Sequence, residues 1–218
     1  MNNLLLLLVV FPVFAYVIGS TPFGVIIARF HGVDLRKTGS GNVGATNVGR
    51  TMGRQWGYTC FLLDVLKGFV PVILLVMMTR PATPEAPARL VQAAWLLAGC
   101  GAIMGHVFSF WLRGRGGKGV STALGVVLGI YPYFTLPGVA ALAIWIVVTL
   151  ASRYVSVGSV VAAVAFLPLM AFQNRHHIGE LWPLLSFALV MIALIIFRHR
   201  TNMRRLLDGT ENKIGKRA

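Results

Sequence analysis

The sequence has few charged residues, and acidic residues are the scarcest of them. Only 12% of its 218 residues are charged and six are Asp or Glu, whereas apolar residues make up 56%. An ordinary soluble domain carries about 25% charged residues. A soluble fold of this length could not hydrate so apolar a surface. The composition therefore excludes a soluble globular domain and indicates an integral membrane protein.

Cysteine is also scarce, and the N-terminus lacks the features of a secretion signal. Cys60 and Cys100 both lie within apolar runs, so neither predicts a disulfide or a metal site. The first apolar run follows Met-Asn-Asn, with no basic segment before it and no small-residue cleavage motif after it. We therefore expect a first transmembrane span rather than a removable signal peptide.

Positive charge is abundant by contrast, since 20 Lys and Arg residues give a net charge of +14. A strongly basic chain can indicate nucleic-acid binding. Here the basic residues lie between apolar runs, which is the distribution expected of cytoplasmic loops in a membrane protein. We therefore expect no nucleic-acid partner, while small anionic substrates and lipid headgroups remain open.

Several apolar runs are long enough to cross about 30 Å of hydrocarbon at 1.5 Å per helical residue. They cover residues 4–27, 56–78, 90–112, 133–150, 155–172 and 181–197. A shorter run, 120–131, decides the topology. If this run is counted as a span, sixteen basic residues lie inside and three outside. If it is not, nine lie inside and ten outside. Because positive charge favours the cytoplasmic side, we predict a single all-α domain, 1–218, of about seven transmembrane helices, with the N-terminus outside and the C-terminus cytoplasmic.

The first inner loop, residues 35–50, combines glycines with polar side chains and an arginine. Glycine lets the backbone approach a ligand closely, so that successive N–H groups can converge on an anion. Arg50 offers a bidentate cation suited to phosphate. Neutral donors in the loop are Ser40, Asn42, Thr46 and Asn47. The loop therefore predicts a phosphate site, with a flexible linker of small residues as the alternative.

The second inner segment, residues 114–122, is rich in glycine but is not a Walker A loop. That motif requires glycine where Leu112 stands and Ser or Thr where Gly119 stands, so nothing supports nucleotide hydrolysis. The segment instead predicts a glycine nest at a helix N-terminus, where Lys118 and the helix dipole both favour phosphate. A basic anchor beside the membrane is the alternative.

The third segment is the tail from residue 198. His199 and Asn202 are three residues apart and share a face if the chain is helical. Arg204 and Arg205 are typical of anchors to anionic lipid. Glu211 is one of only six acids, and we expect it to pair with a loop arginine.

Three further polar positions lie in or beside apolar runs. Asp64 and Lys67 share a helix face inside the second span, where charges are usually paired or functional, and we favour a structural ion pair. Ser156 lies at an inner helix start, and the sequence leaves open whether it caps the helix or binds phosphate. His106 is expected to be structural.

Together the three segments resemble the motifs of the bacterial acyl-phosphate-dependent glycerol-3-phosphate acyltransferase family. The similar stretches are residues 39–47, residues 116–119 and the pattern His199-x-x-Asn202-x-x-Arg205-Leu206. The resemblance implies transfer of a fatty acyl group from acyl phosphate to glycerol 3-phosphate, giving lysophosphatidic acid. It further implies a multi-pass protein of the bacterial inner membrane whose active site faces the cytoplasm, among membrane lipids.

The resemblance also implies roles for individual residues. The residues implied in catalysis are Ser40, Arg50, Lys118, His199 and Asn202. The two glycine loops and the inner helix start at 155 add candidate ligands of substrate phosphate, which are Gly41, Asn42, Gly44, Thr46, Asn47, Gly116, Gly117, Gly119 and Ser156. Those implied in support are Asp64, Lys67 and Glu211.

A general base is not evident, because no histidine is followed five residues on by Asp. An acyl phosphate is already activated and can itself accept a proton, so we expect neither a cofactor nor a metal. Two other functions stay open, an anion transporter and a lipid-headgroup-binding assembly protein. The sequence does not indicate the oligomeric state.

Overall fold

A computed structural model of the chain describes residues 5–81 and 86–214, and all regular structure in these two ranges is helical. A π-helical turn (Leu6–Val10) leads into α1, and a 3-10 helix (Phe110–Leu112) follows α5. The α-helices are α1 (Phe11–Ser20), α2 (Phe23–Phe30), α3 (Ala45–Met52), α4 (Arg54–Thr79), α5 (Arg89–Val107), α6 (Val120–Gly129), α7 (Thr135–Ser152), α8 (Val155–Gln173), α9 (Trp182–Arg198) and α10 (Arg200–Leu207).

Five helical segments are long and apolar enough to cross a membrane, and a sixth results if α9 and α10, bent by 48°, form one span. The predicted all-α membrane fold is thus confirmed. Helix α6 has ten residues, or about 15 Å at 1.5 Å per residue, half of the hydrocarbon thickness. The count of seven spans and the orientation of the termini stay predictions.

The first span is broken between α1 and α2. Pro22 has no N–H to donate and restricts the residue before it, so the helix ends at Ser20 and restarts at Phe23. The carbonyl of Thr21 accepts a hydrogen bond from Nζ of Lys67 at 2.8 Å. A charged side chain of α4 therefore satisfies backbone that the break exposes inside the membrane.

Helices α4 and α5 are the centre of the bundle. About half of their spanning residues are buried, 50% and 56%, compared with 17–28% for the first span, α7 and α8. Small residues allow neighbouring helices to approach closely. A Cβ at Gly125 of α6 would collide with the carbonyl of Val65, and one at Gly105 of α5 with that of Tyr16. These contacts fix α6 and α1 against the central pair.

Contacts between distant segments gather the polar regions at one end of the bundle. Nζ of Lys118, just before α6, lies 2.6 Å from Oδ1 of Asn202 in α10. A guanidinium nitrogen of Arg36, in the first inner loop, lies 3.5 Å from the carbonyl oxygen of Arg115. The three segments singled out in the sequence therefore meet on the same side of the protein.

Candidate active site

The first inner loop is held in shape by the buried side chain of Asn47. Its Nδ2 donates to the carbonyls of Leu35 at 3.2 Å and Thr38 at 3.1 Å. Its Oδ1 accepts the backbone N–H of Ser40 at 2.8 Å. Gly41 takes a left-handed conformation, with φ of 71°, where glycine has no steric cost. Asn47 thus shapes the loop, and its contact with substrate phosphate stays a prediction.

The end of this loop leads into α3, which carries Arg50. Oδ1 of Asn42 accepts the N–H of Gly44 at 2.9 Å, and Gly44 is the N-cap of α3. Arg50 lies in the last turn, close enough to Glu211 and Arg205 to interact with their charges. Burial lowers the pKa of Arg50. The charge of Glu211 opposes this shift, and the nearby charge of Arg205 adds to it. Arg50 therefore extends towards the tail, while Thr46 is exposed in the first turn.

The glycine loop between α5 and α6 folds back on the end of α5. The N–H of Gly116 donates to the carbonyl of Val107, and that of Gly117 to the carbonyl of His106, both at 3.1 Å. These two N–H groups are not available to an anion, which corrects the nest predicted at Gly116 and Gly117. Both glycines are needed for packing, because a Cβ at either would collide with His106. Gly119 has φ of 85° and is the N-cap of α6.

Lys118 belongs to a network of short hydrogen bonds centred on Glu211. Lys118 contacts Oδ1 of Asn202, and Nδ2 of Asn202 donates to Oε1 of Glu211 at 2.6 Å. Ser156 donates to the same oxygen at 2.8 Å, and Nε of Arg205 to Oε2 at 2.9 Å. Burial alone would raise the pKa of Glu211, but these three donors outweigh it and hold the pKa below its ordinary value.

This network concentrates positive charge around one acid. The pKa of Lys118 falls to about 8, chiefly because of burial and also because Arg205, Arg198 and Arg50 are close, while Glu211 opposes the shift. Three cations, Lys118, Arg50 and Arg205, therefore act on the single carboxylate of Glu211, and Arg198 lies close to Lys118. Such a surplus of partly desolvated donors is suited to bind two phosphate groups side by side.

His199 lies at the bend between α9 and α10 and is 2% exposed. Its Nδ1 lies 2.8 Å from the carbonyl oxygen of Ile195. A carbonyl can only accept, so Nδ1 carries the proton and Nε2 of the neutral ring is an acceptor. The charges of Lys118 and Glu211 act on the ring, which places His199 beside the network; its role in catalysis stays a prediction.

Asp64 and Lys67 form the predicted ion pair, with Oδ1 and Nζ 2.6 Å apart and both side chains buried. Nδ1 of His106 lies 3.7 Å from the same carboxylate oxygen, and the His106 ring lies directly against Gly117. A cavity of about 10 Å³ is lined by these three side chains together with Gly116 and Gly117 of the glycine loop. The cluster therefore packs against the glycine loop and is separate from the Glu211 network.

Three side chains contribute more than the sequence indicated. The interpretation of Arg205 as a lipid anchor is wrong, because Arg205 pairs with Glu211. The predicted pairing of Glu211 with an arginine is confirmed, but the expectation that this arginine lies in a loop is wrong, because Arg205 lies in α10. Arg198 donates to the carbonyl of Gly117 at 2.7 Å. His106 packs on the other side of that glycine. Arg205 had a signal, its i+3 spacing from Asn202, and His106 has the structural role that was predicted, whereas Arg198 had no signal.

Comparison with known proteins gives a consistent result. The family model described as glycerol-3-phosphate acyltransferase matches residues 9–209. The chain belongs to the glycerol-3-phosphate acyltransferase family. A relative of that description from Geobacter sulfurreducens is 44% identical over 91% of this chain and 93% of its own, and one from Aquifex aeolicus is 41% identical over 92% and 96%.

A similar fold has been solved by crystallography. PlsY (YgiH), an integral membrane glycerol 3-phosphate acyltransferase, superposes in its glycerol 3-phosphate form with a TM-score of 0.81, at 38% identity and 94% coverage of both chains. Its lysophosphatidic acid form gives a TM-score of 0.79. This chain is accordingly an acyltransferase of the membrane, and the transporter and assembly-protein alternatives are set aside.

Proposed function

We propose that this acyltransferase moves a fatty acyl group from acyl phosphate to glycerol 3-phosphate, forming lysophosphatidic acid. A hydroxyl oxygen of glycerol 3-phosphate attacks the carbonyl carbon of the acyl phosphate, and an ester bond forms. The bond from that carbon to the bridging oxygen breaks, and inorganic phosphate leaves with the hydroxyl proton. The glycerol 3-phosphate and lysophosphatidic acid forms of the similar PlsY structure support the acceptor and the product.

The observation that carries this proposal is the junction of all three polar segments around Glu211. Lys118 from the second and Asn202 from the third are in direct contact, and Arg50 from the first interacts with the same charges. Two substrates that each bear phosphate repel one another. In this proposal Lys118 and Arg50 offset that repulsion, while Glu211 holds Asn202 and Arg205 in position.

The proton is expected to leave with the substrate rather than through a protein base. The departing phosphate has a pKa near neutrality, so it can accept the hydroxyl proton as the bond breaks. His199, with its Nδ1 proton committed to Ile195, offers Nε2 as an acceptor that orients the attacking hydroxyl. Ser40, whose backbone N–H is held by Asn47, is assigned to substrate phosphate through its hydroxyl group.

The reaction is assigned to the cytoplasmic face of the bacterial inner membrane, as an early step of phospholipid synthesis. The excess of basic residues in the loops on the side of the network supports this orientation. The acyl phosphate is an amphiphile that partitions into the bilayer, whereas glycerol 3-phosphate is soluble. A site at the boundary between lipid and water is accessible to both substrates.

Reconstitution into vesicles tests the proposal against anion transport. Purified protein is supplied with acyl phosphate, labelled with ¹⁸O at the bridging oxygen, and with glycerol 3-phosphate. We expect lysophosphatidic acid and inorganic phosphate in equal amounts, with the label in the phosphate, because the acyl carbon to oxygen bond breaks. Anion flux without ester formation, or label retained in a fatty acid, would contradict it.

A further inference from the structure

A second concave region lies between the end of α2 and the 3-10 helix, on the same side of the protein as the Glu211 network. Its volume is about 650 Å³. Apolar side chains such as Val25 and Leu112 form part of its wall. The basic residues that line it are Arg29, Arg36, Arg113 and Arg115. None of these four arginines belongs to the Glu211 network, so this arginine groove requires a separate explanation.

The groove has a large excess of positive charge. Asp34 is the one acid among its lining residues. That carboxylate accepts the backbone N–H of Arg36 at 3.0 Å and lies 3.9 Å from Nζ of Lys37. Asp34 is therefore already engaged by its own loop. Four guanidinium groups line the groove against one carboxylate, and this excess of positive charge favours the binding of an anion.

The depth of the groove in the membrane is indicated by exposed aromatic residues, one in its lining and two that neighbour lining residues in the sequence. Phe30 is 85% exposed, Phe110 71% and Trp111 62%. Aromatic side chains are enriched where the hydrocarbon meets the headgroups. Trp111 is itself part of the lining. The groove is thus both cationic and placed at the level of lipid phosphates.

We propose that the arginine groove binds the phosphate headgroup of an anionic membrane phospholipid. Its acyl chains lie outside, against the exposed aromatic residues, and its phosphate lies among the arginines. The groove joins two loops, because Arg36 of the first inner loop already contacts the carbonyl of Arg115 in the second. A bound headgroup therefore also holds these loops together, without entering the Glu211 network.

The test is lipid retention by the full-length protein. Protein in mixed micelles holding equal amounts of phosphatidylglycerol and phosphatidylcholine is analysed by native mass spectrometry. We expect wild-type protein to retain phosphatidylglycerol selectively. The double variant Arg29→Gln, Arg113→Gln should lower that preference by roughly tenfold or more, since each basic side chain near anionic headgroups contributes about fivefold. Thermal unfolding in the same micelles verifies that the variant is folded.

The matched control is Arg54→Gln, Lys213→Gln, which removes two exposed positive charges outside the groove and should leave the preference unchanged. An equal loss in the control, or an unchanged preference in the groove variant, overturns the proposal. Two competitors complete the test. Displacement of the lipid by equimolar inorganic phosphate would make this a site for free phosphate, and displacement by equimolar acyl phosphate would make it part of the substrate site; either outcome overturns the lipid assignment.

Discussion

Lys118→Ala tests the role of the network most specifically. The substitution removes an ammonium that lies 2.6 Å from Oδ1 of Asn202. Asn202 keeps its contact with Glu211, which keeps Ser156 and Arg205. The site should therefore not collapse, and the loss should be confined to the substrate contact. A hydrogen bond to a charged group contributes roughly 1.5–3 kcal/mol, so kcat/KM should fall about ten- to 150-fold.

The assay follows lysophosphatidic acid formation by purified protein in micelles, with wild-type and variant compared at equal protein. Lys37→Ala is the matched control, since its side chain is 84% exposed, and we expect less than a twofold change. Lys118→Arg should restore activity only in part, because a planar fork replaces a compact ammonium. A folded Lys118→Ala protein with full activity would refute the phosphate-binding role.

Other expectations follow from the same network. Because the pKa of Lys118 is lowered to about 8, its ammonium loses its proton as pH rises through that value. The kcat/KM of the wild-type protein should therefore fall above about pH 8. The same fall in Lys118→Arg would contradict this explanation. Glu211→Gln weakens the contact to Arg205, and kcat/KM, measured at saturating acyl phosphate, should fall by roughly ten- to 100-fold. An unchanged kcat/KM would contradict a supporting role for Glu211. His199→Gln should lower kcat by less than the roughly 10²–10⁴-fold that is typical of a lost general base. A loss of that size confined to the chemical step would make His199 the base. Single cysteines at Thr83, outside the described residues, and Thr210 should react with an impermeant reagent from opposite sides; same-side labelling excludes seven spans.

Features that depend on local sequence were predictable. The apolar runs correspond to the helices within a few residues, because a span requires only length and hydrophobicity. The i+3 spacing of Asp64 and Lys67 sufficed to pair them on one helix face. The same spacing placed His199 and Asn202 together at the start of α10.

Features that depend on contacts between residues distant in the sequence were not predictable. The glycines at 116 and 117 suggest a nest, but their N–H groups bind carbonyls of α5, and no local pattern specifies that the chain folds back there. Arg198 carries no distinguishing signal, and its contact with Gly117 joins residues 81 positions apart. The sequence indicated Asn47 only as a candidate phosphate ligand, and its role in organising the loop depends on partners that no local pattern specifies.

The identity of the acyl donor tests the central claim most directly. Purified protein is given glycerol 3-phosphate and either acyl phosphate or acyl-CoA with the same fatty acid, and kcat/KM is measured for each donor. The account predicts efficient lysophosphatidic acid synthesis from acyl phosphate and little from acyl-CoA, because in this account the donor's own phosphate binds to Lys118 and Arg50 and accepts the hydroxyl proton as it leaves. Comparable turnover of acyl-CoA would contradict it.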